Sequence, residues 1–292
     1  MRTLEIEPPF SLADTCAPVA WAAGRWANQD WIDDALIWVG WEGDRVVHRI
    51  VRTDANDGLL RIEGNADPVL DFDWSAHVLG IERSMPRIND PVLAGIAERH
   101  PGLRPHASGS LFDGLIDSIV GQSITVLAAA VVSARLASYF HHGIELHGRI
   151  FWPSPRPEEL SNADPFRLRT TGVTWKRAEA LVTAGQAALD GRLLEPTSES
   201  PERLRAMLLA LPLVGKWTAE SALLWGIGED DAFPSGDVAL LRAARRVYQQ
   251  PDMTMKVLDA LAVEWAGYRA WAARLLWIDL FGPASMPRYS TR

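Results

Sequence analysis

The stretch Leu211–Leu240, LPLVGKWTAESALLWGIGEDDAFPSGDVAL, holds the residue types and spacing best suited to chemistry. Arg203–Leu211 and Lys216–Trp225 read as two helices joined by Pro212-Leu213-Val214-Gly215. Pro212 stops the first helix through its fixed φ. Gly215 is free to take a positive φ without steric cost. The second helix then opens with unsatisfied backbone amides, which together with the helix dipole favour a phosphate oxygen. Lys216 and Thr218 add candidate side-chain contacts, although a grip of this kind carries no base-sequence information. Asp237 follows Phe233-Pro234-Ser235-Gly236 and opens another helix. Aspartate at a helix start caps orphan amides, and Ser235, Asp230 and Asp231 could do the same. A lone carboxylate beside a phosphate clamp points instead to chemistry on a nucleic acid.

Elements on both sides must position this pair. The chain has 292 residues, 48% hydrophobic and 23% charged, enough for one large or two medium domains. A single cysteine, Cys16, excludes an internal disulfide and any cysteine-built zinc or iron–sulfur site. The opening MRTLEIEPPF has no signal-like apolar run, and no stretch approaches membrane-spanning length, so a cytoplasmic protein without membrane association is expected. The net charge of −8 argues against a polyanionic partner if taken globally. Residues 1–164, however, carry 13 basic and 23 acidic side chains, whereas residues 165–292 carry 16 and 14. A polyanion-binding face therefore belongs to the second half.

Alternation predicts strands at Ala35–Trp41 and Arg45–Val51 around Glu42-Gly43-Asp44, and a third at Gly58–Glu63. Leu4–Ile6 reads as an edge strand, and Leu12–Trp26 as helical only beyond Pro18. From about Asp73 the apolar period becomes helical. Helices are predicted at Ser110–Ile119, Thr125–Phe140, Trp175–Leu189, Pro201–Leu211, Lys216–Trp225, Val238–Tyr248, Met255–Ala266 and Arg269–Phe281. Gly121-Gln122-Ser123 marks a helix junction, Pro153–Pro157 a loop, and His141-His142 a solvated helix end.

L-P-L-V-G-K-W-T-A followed by F-P-S-G-D resembles the signature of the helix-hairpin-helix/Gly-Pro-Asp DNA glycosylases. Within them the chain is most similar to the inducible bacterial 3-methyladenine-DNA glycosylases, the alkylpurine branch. Pro8-Pro9-Phe10, Pro101-Gly102-Leu103-Arg104, Phe112–Gly121-Gln122 and Thr174–Ala187 (TWKRAEALVTAGQA) extend the likeness, strongly over residues 100–281 and weakly over the first 75. The resemblance implies an α+β protein, with a small N-terminal antiparallel-sheet α/β domain at 1–75. An all-α helix-hairpin-helix catalytic region would follow at 76–292, with its hairpin at about 203–226.

It also implies a monomeric, monofunctional glycosylase that flips alkylated purines (3-methyladenine, 7-methylguanine) out of double-stranded DNA and hydrolyses the N-glycosidic bond. Asp237 matches the family's essential carboxylate. That charge stabilises the oxocarbenium-like sugar and can orient a water. Strand-cutting relatives form a Schiff base through a lysine at the position of Trp217. Lys216 lies one residue early, about 100° around the helix. By the same resemblance Trp217 and Trp277 line the base pocket, with Tyr268 as a further wall, and their faces favour cationic purines. Trp225, Trp265 and Trp271 read as core. DNA contacts fall on Leu213, Gly215, Lys216, Thr218, Gln122 and Ser123.

Three positions depart from the pattern. Ser123 stands where an intercalating leucine is usual, which leaves Gln122 or Ile124 to fill the gap. Ser221 replaces an aromatic, and Leu213 replaces the hairpin's first glycine. No cofactor is required on this reading, but the backbone carbonyls of Leu209, Leu211 and Val214 match a monovalent-cation site (Na or K). Two alternatives stay open: a DNA-binding damage sensor with this fold and no turnover, and a glycosylase for oxidised or deaminated bases.

Overall fold

The computed structural model describes residues 1–54, 58–193 and 199–286. The alternating runs on either side of Gly43 form β3 (Ala35–Glu42) and β4 (Arg45–Asp54), after β1 (Arg2–Glu5) and β2 (Gln29–Ile32) and before β5 (Leu59–Gly64). They build one antiparallel sheet in the order β1-β5-β4-β3-β2. β1 lies at the edge, as its Pro-Pro terminus predicts. β2 was not expected. It pairs with β3 through a two-residue turn in which Asp33 and Asp34 both have positive φ (49° and 56°), the arrangement that matches strand twist.

Between β1 and β2 lie α1 (Leu12–Thr15) and α2 (Ala17–Trp21). Helix therefore begins before Pro18, contrary to expectation. Ser11 caps α1, and Pro18 falls in the first turn of α2, where its missing N–H costs no hydrogen bond.

The helical part runs through α3 (Asp71–Leu79), α4 (Pro91–Ala97), α5 (Leu111–Gly121) and α6 (Val126–Phe140). It continues, beyond a short hairpin, with α7 (Pro157–Ser161), α8 (Pro165–Leu168), α9 (Trp175–Leu189) and α10 (Pro201–Leu209). The series ends with α11 (Lys216–Ile227), α12 (Val238–Val247), α13 (Met255–Val263) and α14 (Arg269–Phe281). The expectation of an all-α region fails at that hairpin, β6 (Ile144–Leu146) paired with β7 (Arg149–Phe151). Phe151 buries itself against Ala35, Ile37 and Val39, so this hairpin packs on the sheet. His141 is not a solvated helix end either. Its Nε2 lies 3.1 Å from a Glu159 carboxylate oxygen, and its ring meets Trp41 edge-on.

A boundary near residue 75 falls inside α3, whose Val78 and Leu79 join Leu4, Val47 and Leu60 in the sheet's core. Residues after α14 return to the same place: Ala284 enters that core, and Gly282 accepts the Trp21 indole N–H. Trp265 and Trp271 are fully buried in the helical core, as read. No single described helix is long and apolar enough to cross a membrane.

Two contacts in the helical part set the stage for the site. A Cβ on Gly114 of α5 would stand 2.4 Å from the Gly226 Cα of α11, so these backbones touch where neither residue has a side chain. At its other end α5 bends by 118° into α6, and that bend carries Gln122, Ser123 and Ile124.

Candidate active site

α10 and α11 form the expected hairpin, but its left-handed residue is Leu213 (φ 66°). Gly215 is extended (φ −89°, ψ 176°), so the positive φ assigned to it does not exist. Leu213 holds a conformation that costs a non-glycine residue about 1 kcal/mol. Two bonds on either side sustain it: Val214 N–H donates to the Leu211 carbonyl (3.3 Å), and Gln122 Nε2 donates to the Leu213 carbonyl (3.3 Å). A Cβ on Gly215 would meet nothing within 4 Å, and no side chain caps α11. The first amides of α11 thus face open space with bare backbone before them, the geometry that receives an anion. Lys216 is exposed beside it. Thr218 is not available to a phosphate: it is buried, and its hydroxyl accepts the Gln122 amide at 3.0 Å.

Gln122 therefore ties the α5–α6 junction to the hairpin and is not free to intercalate. Its carbonyl also accepts a hydrogen bond from Arg177 of α9. Ser123, at φ 56°, is exposed and small. The apolar group that the junction presents is Ile124, 36% exposed. Gly121 lies against the Trp217 ring, since a Cβ there would be 3.7 Å from it.

Asp237 caps its helix and still turns a carboxylate oxygen towards Trp217. One carboxylate oxygen caps α12 by accepting Leu240 N–H (2.9 Å), while the other accepts the Trp217 indole N–H (3.4 Å). The loop leading to it is fastened by two carboxylates that the sequence reading did not single out. Glu220 accepts Phe233 N–H (3.1 Å) and the Arg205 guanidinium (2.5 Å), and Asp259 accepts the Ser235 hydroxyl (2.6 Å). Glu220 is only 5% exposed, on a helix whose neighbouring residues are small or apolar. A charged residue in such a run must be paired, and that was the available signal.

The other two aromatics are buried. Trp277 is buried and stacks on Trp225, with ring centroids 5.1 Å apart. Arg274 lies over the same Trp225 ring at 4.9 Å. Tyr268 is buried at the start of α14, and no hydrogen bond or ring contact among the described residues joins it to Trp217 or Asp237. Ser221 falls one turn beyond Trp217 and one turn before Trp225. It is 2% exposed, and its hydroxyl has no partner among the described residues.

One turn before Gly121, burial and then the charge of Asp113 push the Asp117 carboxyl up to about 7, against a hydrogen bond from Ser133. Between about pH 4 and pH 7 the folded chain thus keeps a proton that the unfolded chain has lost, and stability falls as pH rises through that window. Asp117→Asn should therefore raise Tm over the wild type at pH 8 and change it little at pH 4. Thermal melts at both pH values test this, and a gap that does not widen toward pH 8 refutes it.

No family model matches the chain. The chain is 29% identical to DNA-3-methyladenine glycosylase 2 of Escherichia coli over 192 residues, 66% of each protein. It is 28% identical over 197 residues to a probable bifunctional transcriptional activator/DNA repair enzyme AlkA of Mycobacterium tuberculosis. That match covers 67% of this chain and spans 39% of the relative's length. Its fold matches a 3-methyladenine DNA-glycosylase from Archaeoglobus fulgidus with a TM-score of 0.79. The two share 19% identity over 96% of this chain and 99% of that one. With its antiparallel sheet, its hairpin and its Asp237-bearing loop, the chain is similar in sequence to DNA-3-methyladenine glycosylases and shares their fold.

Proposed function

We propose that this protein is a monofunctional DNA glycosylase that releases alkylated purines from duplex DNA, acting as a cytoplasmic monomer. The observation that carries the proposal is the Asp237 carboxylate, hydrogen-bonded to Trp217 beside an uncapped helix N-terminus. The hairpin amides and Lys216 hold the DNA backbone, and the damaged nucleotide swings out towards Trp217. As the base departs with the electrons of the N-glycosidic bond, positive charge spreads over the deoxyribose. The cationic alkylpurine leaves as a neutral base; Asp237 stabilises the sugar's charge and orients a water, whose oxygen joins the sugar carbon while its proton passes to solvent. The products are the free base and an intact strand with an abasic site. At the position of a Schiff-base amine stands the Trp217 indole, which has no nucleophilic nitrogen.

The hairpin carbonyls fit a monovalent cation. Among the described residues those of Leu209 and Val214 accept no backbone hydrogen bond, and that of Leu211 accepts the Val214 N–H of the turn. An ion there would hold the turn at the phosphate grip. The unpartnered Ser221 hydroxyl supports a second reading, in which oxidised or deaminated purines with a hydrogen-bonding edge are also released.

Base release from a panel of single-lesion duplexes, run in sodium, potassium and tetramethylammonium salts, tests all three points. We expect free alkylpurine, no adduct on borohydride trapping, and faster release with the small cations. DNA binding without any liberated base would assign the chain to damage sensing, and a trapped adduct would overturn the monofunctional assignment.

A further inference from the structure

Gln122 is held from two directions, by the hairpin through its side chain and by α9 through its carbonyl. The hairpin side is accounted for above, but the α9 side is not. Two residues before Arg177, Trp175 opens α9 with 45% of its surface exposed. Phe166 of α8 is more exposed still. Around them stand the exposed cations Arg167, Arg169 and Lys176. Arg135 of α6 joins this group, since its guanidinium lies 3.6 Å from where a Gly172 Cβ would be. Among the described residues none of these four makes an ion pair, although the protein as a whole is acidic. The nearby Asp164 is occupied in capping α8.

An exposed tryptophan on the same stretch as exposed cations that make no ion pair among the described residues, on the helix fastened to the junction, is complementary to nucleic acid. We infer that the α8–α9 ridge is a second DNA-binding surface. It takes the strand opposite the damaged one, and Trp175 stacks on the base left unpaired when its partner flips out. Ser123 and Ile124 leave part of the vacated stack unfilled, and the indole face closes it from the other strand. The cations grip the phosphates on either side. The inference extends the glycosylase reading, but it needs only binding to damaged duplex.

The test uses a duplex with a tetrahydrofuran abasic analogue opposite 2-aminopurine, whose fluorescence falls on stacking. Wild-type protein should bind and quench it. Trp175→Ala should weaken binding about tenfold and abolish the quench, while Trp175→Phe restores most of both. Lys176→Ala and Arg167→Ala should each lower the slope of log affinity against log salt by about 1. Unchanged affinity and quench in Trp175→Ala, with Tm within a degree of wild type, would overturn the ridge. So would a wild type that binds without quenching. A chain that quenches through Trp175 but releases no base keeps the ridge and loses the glycosylase assignment.

Discussion

Asp237→Asn should slow base release by on the order of 10³-fold or more while DNA affinity stays within a few-fold. Asparagine is as good an N-cap as aspartate, so the bond from Leu240 N–H to the side chain survives, and with it the start of α12. Only the negative charge is lost. That separates the cap from the catalytic role proposed for Asp237. Asp237→Ala removes both and should also destabilise the protein by about 1 kcal/mol. Single-turnover release from a methylated duplex, paired with thermal melts, reads the two effects apart. If Asp237→Asn turns over within a few-fold of wild type, the carboxylate that matters lies elsewhere.

Glu220→Ala should produce the largest loss of stability near the site. The side chain removed is buried and serves α10, α11 and the Asp237 loop together. Without it, the Arg205 guanidinium and the Phe233 N–H both lose their partner. Breaking one side of a buried pair costs about 3 kcal/mol or more, which for a chain of this size lowers Tm by roughly 10 °C. Activity should fall as well, because a shift of about 1 Å at the carboxylate is enough for a hundredfold loss. Glu220→Gln keeps an acceptor for Phe233 and should lie between the two. Differential scanning calorimetry and release kinetics check both variants. A Glu220→Ala melt within 2 °C of wild type would show that the loop holds itself.

What could be read in the sequence was what local chemistry dictates. The β3–β4 hairpin, the helix stops at Pro212 and the cap at Asp237 all follow from a few neighbouring residues. The misreadings share a cause, since each depends on a partner far along the chain. Gly215 has the freedom for positive φ, yet Leu213 adopts it, because the Gln122 amide bonds the Leu213 carbonyl from another helix. That same amide takes up the Thr218 hydroxyl. The strands β6 and β7 have three residues each, too short for alternation to register, and only Phe151 packing on the sheet gives them a purpose.

The bare contact between Gly114 and Gly226 acts as a gauge. On the proposed reading α5 ends in the junction that would enter the duplex and α11 begins with the amides that would grip its backbone, and the two helices are locked where neither has a side chain. The spacing between grip and insertion is thereby set by the van der Waals radii of two backbones, which cannot be repacked as a side chain can. A methyl group at either position would move one tool relative to the other by more than the chemistry tolerates, while leaving each intact. Such a protein would still recognise DNA and still possess its carboxylate, yet it would measure the duplex wrongly.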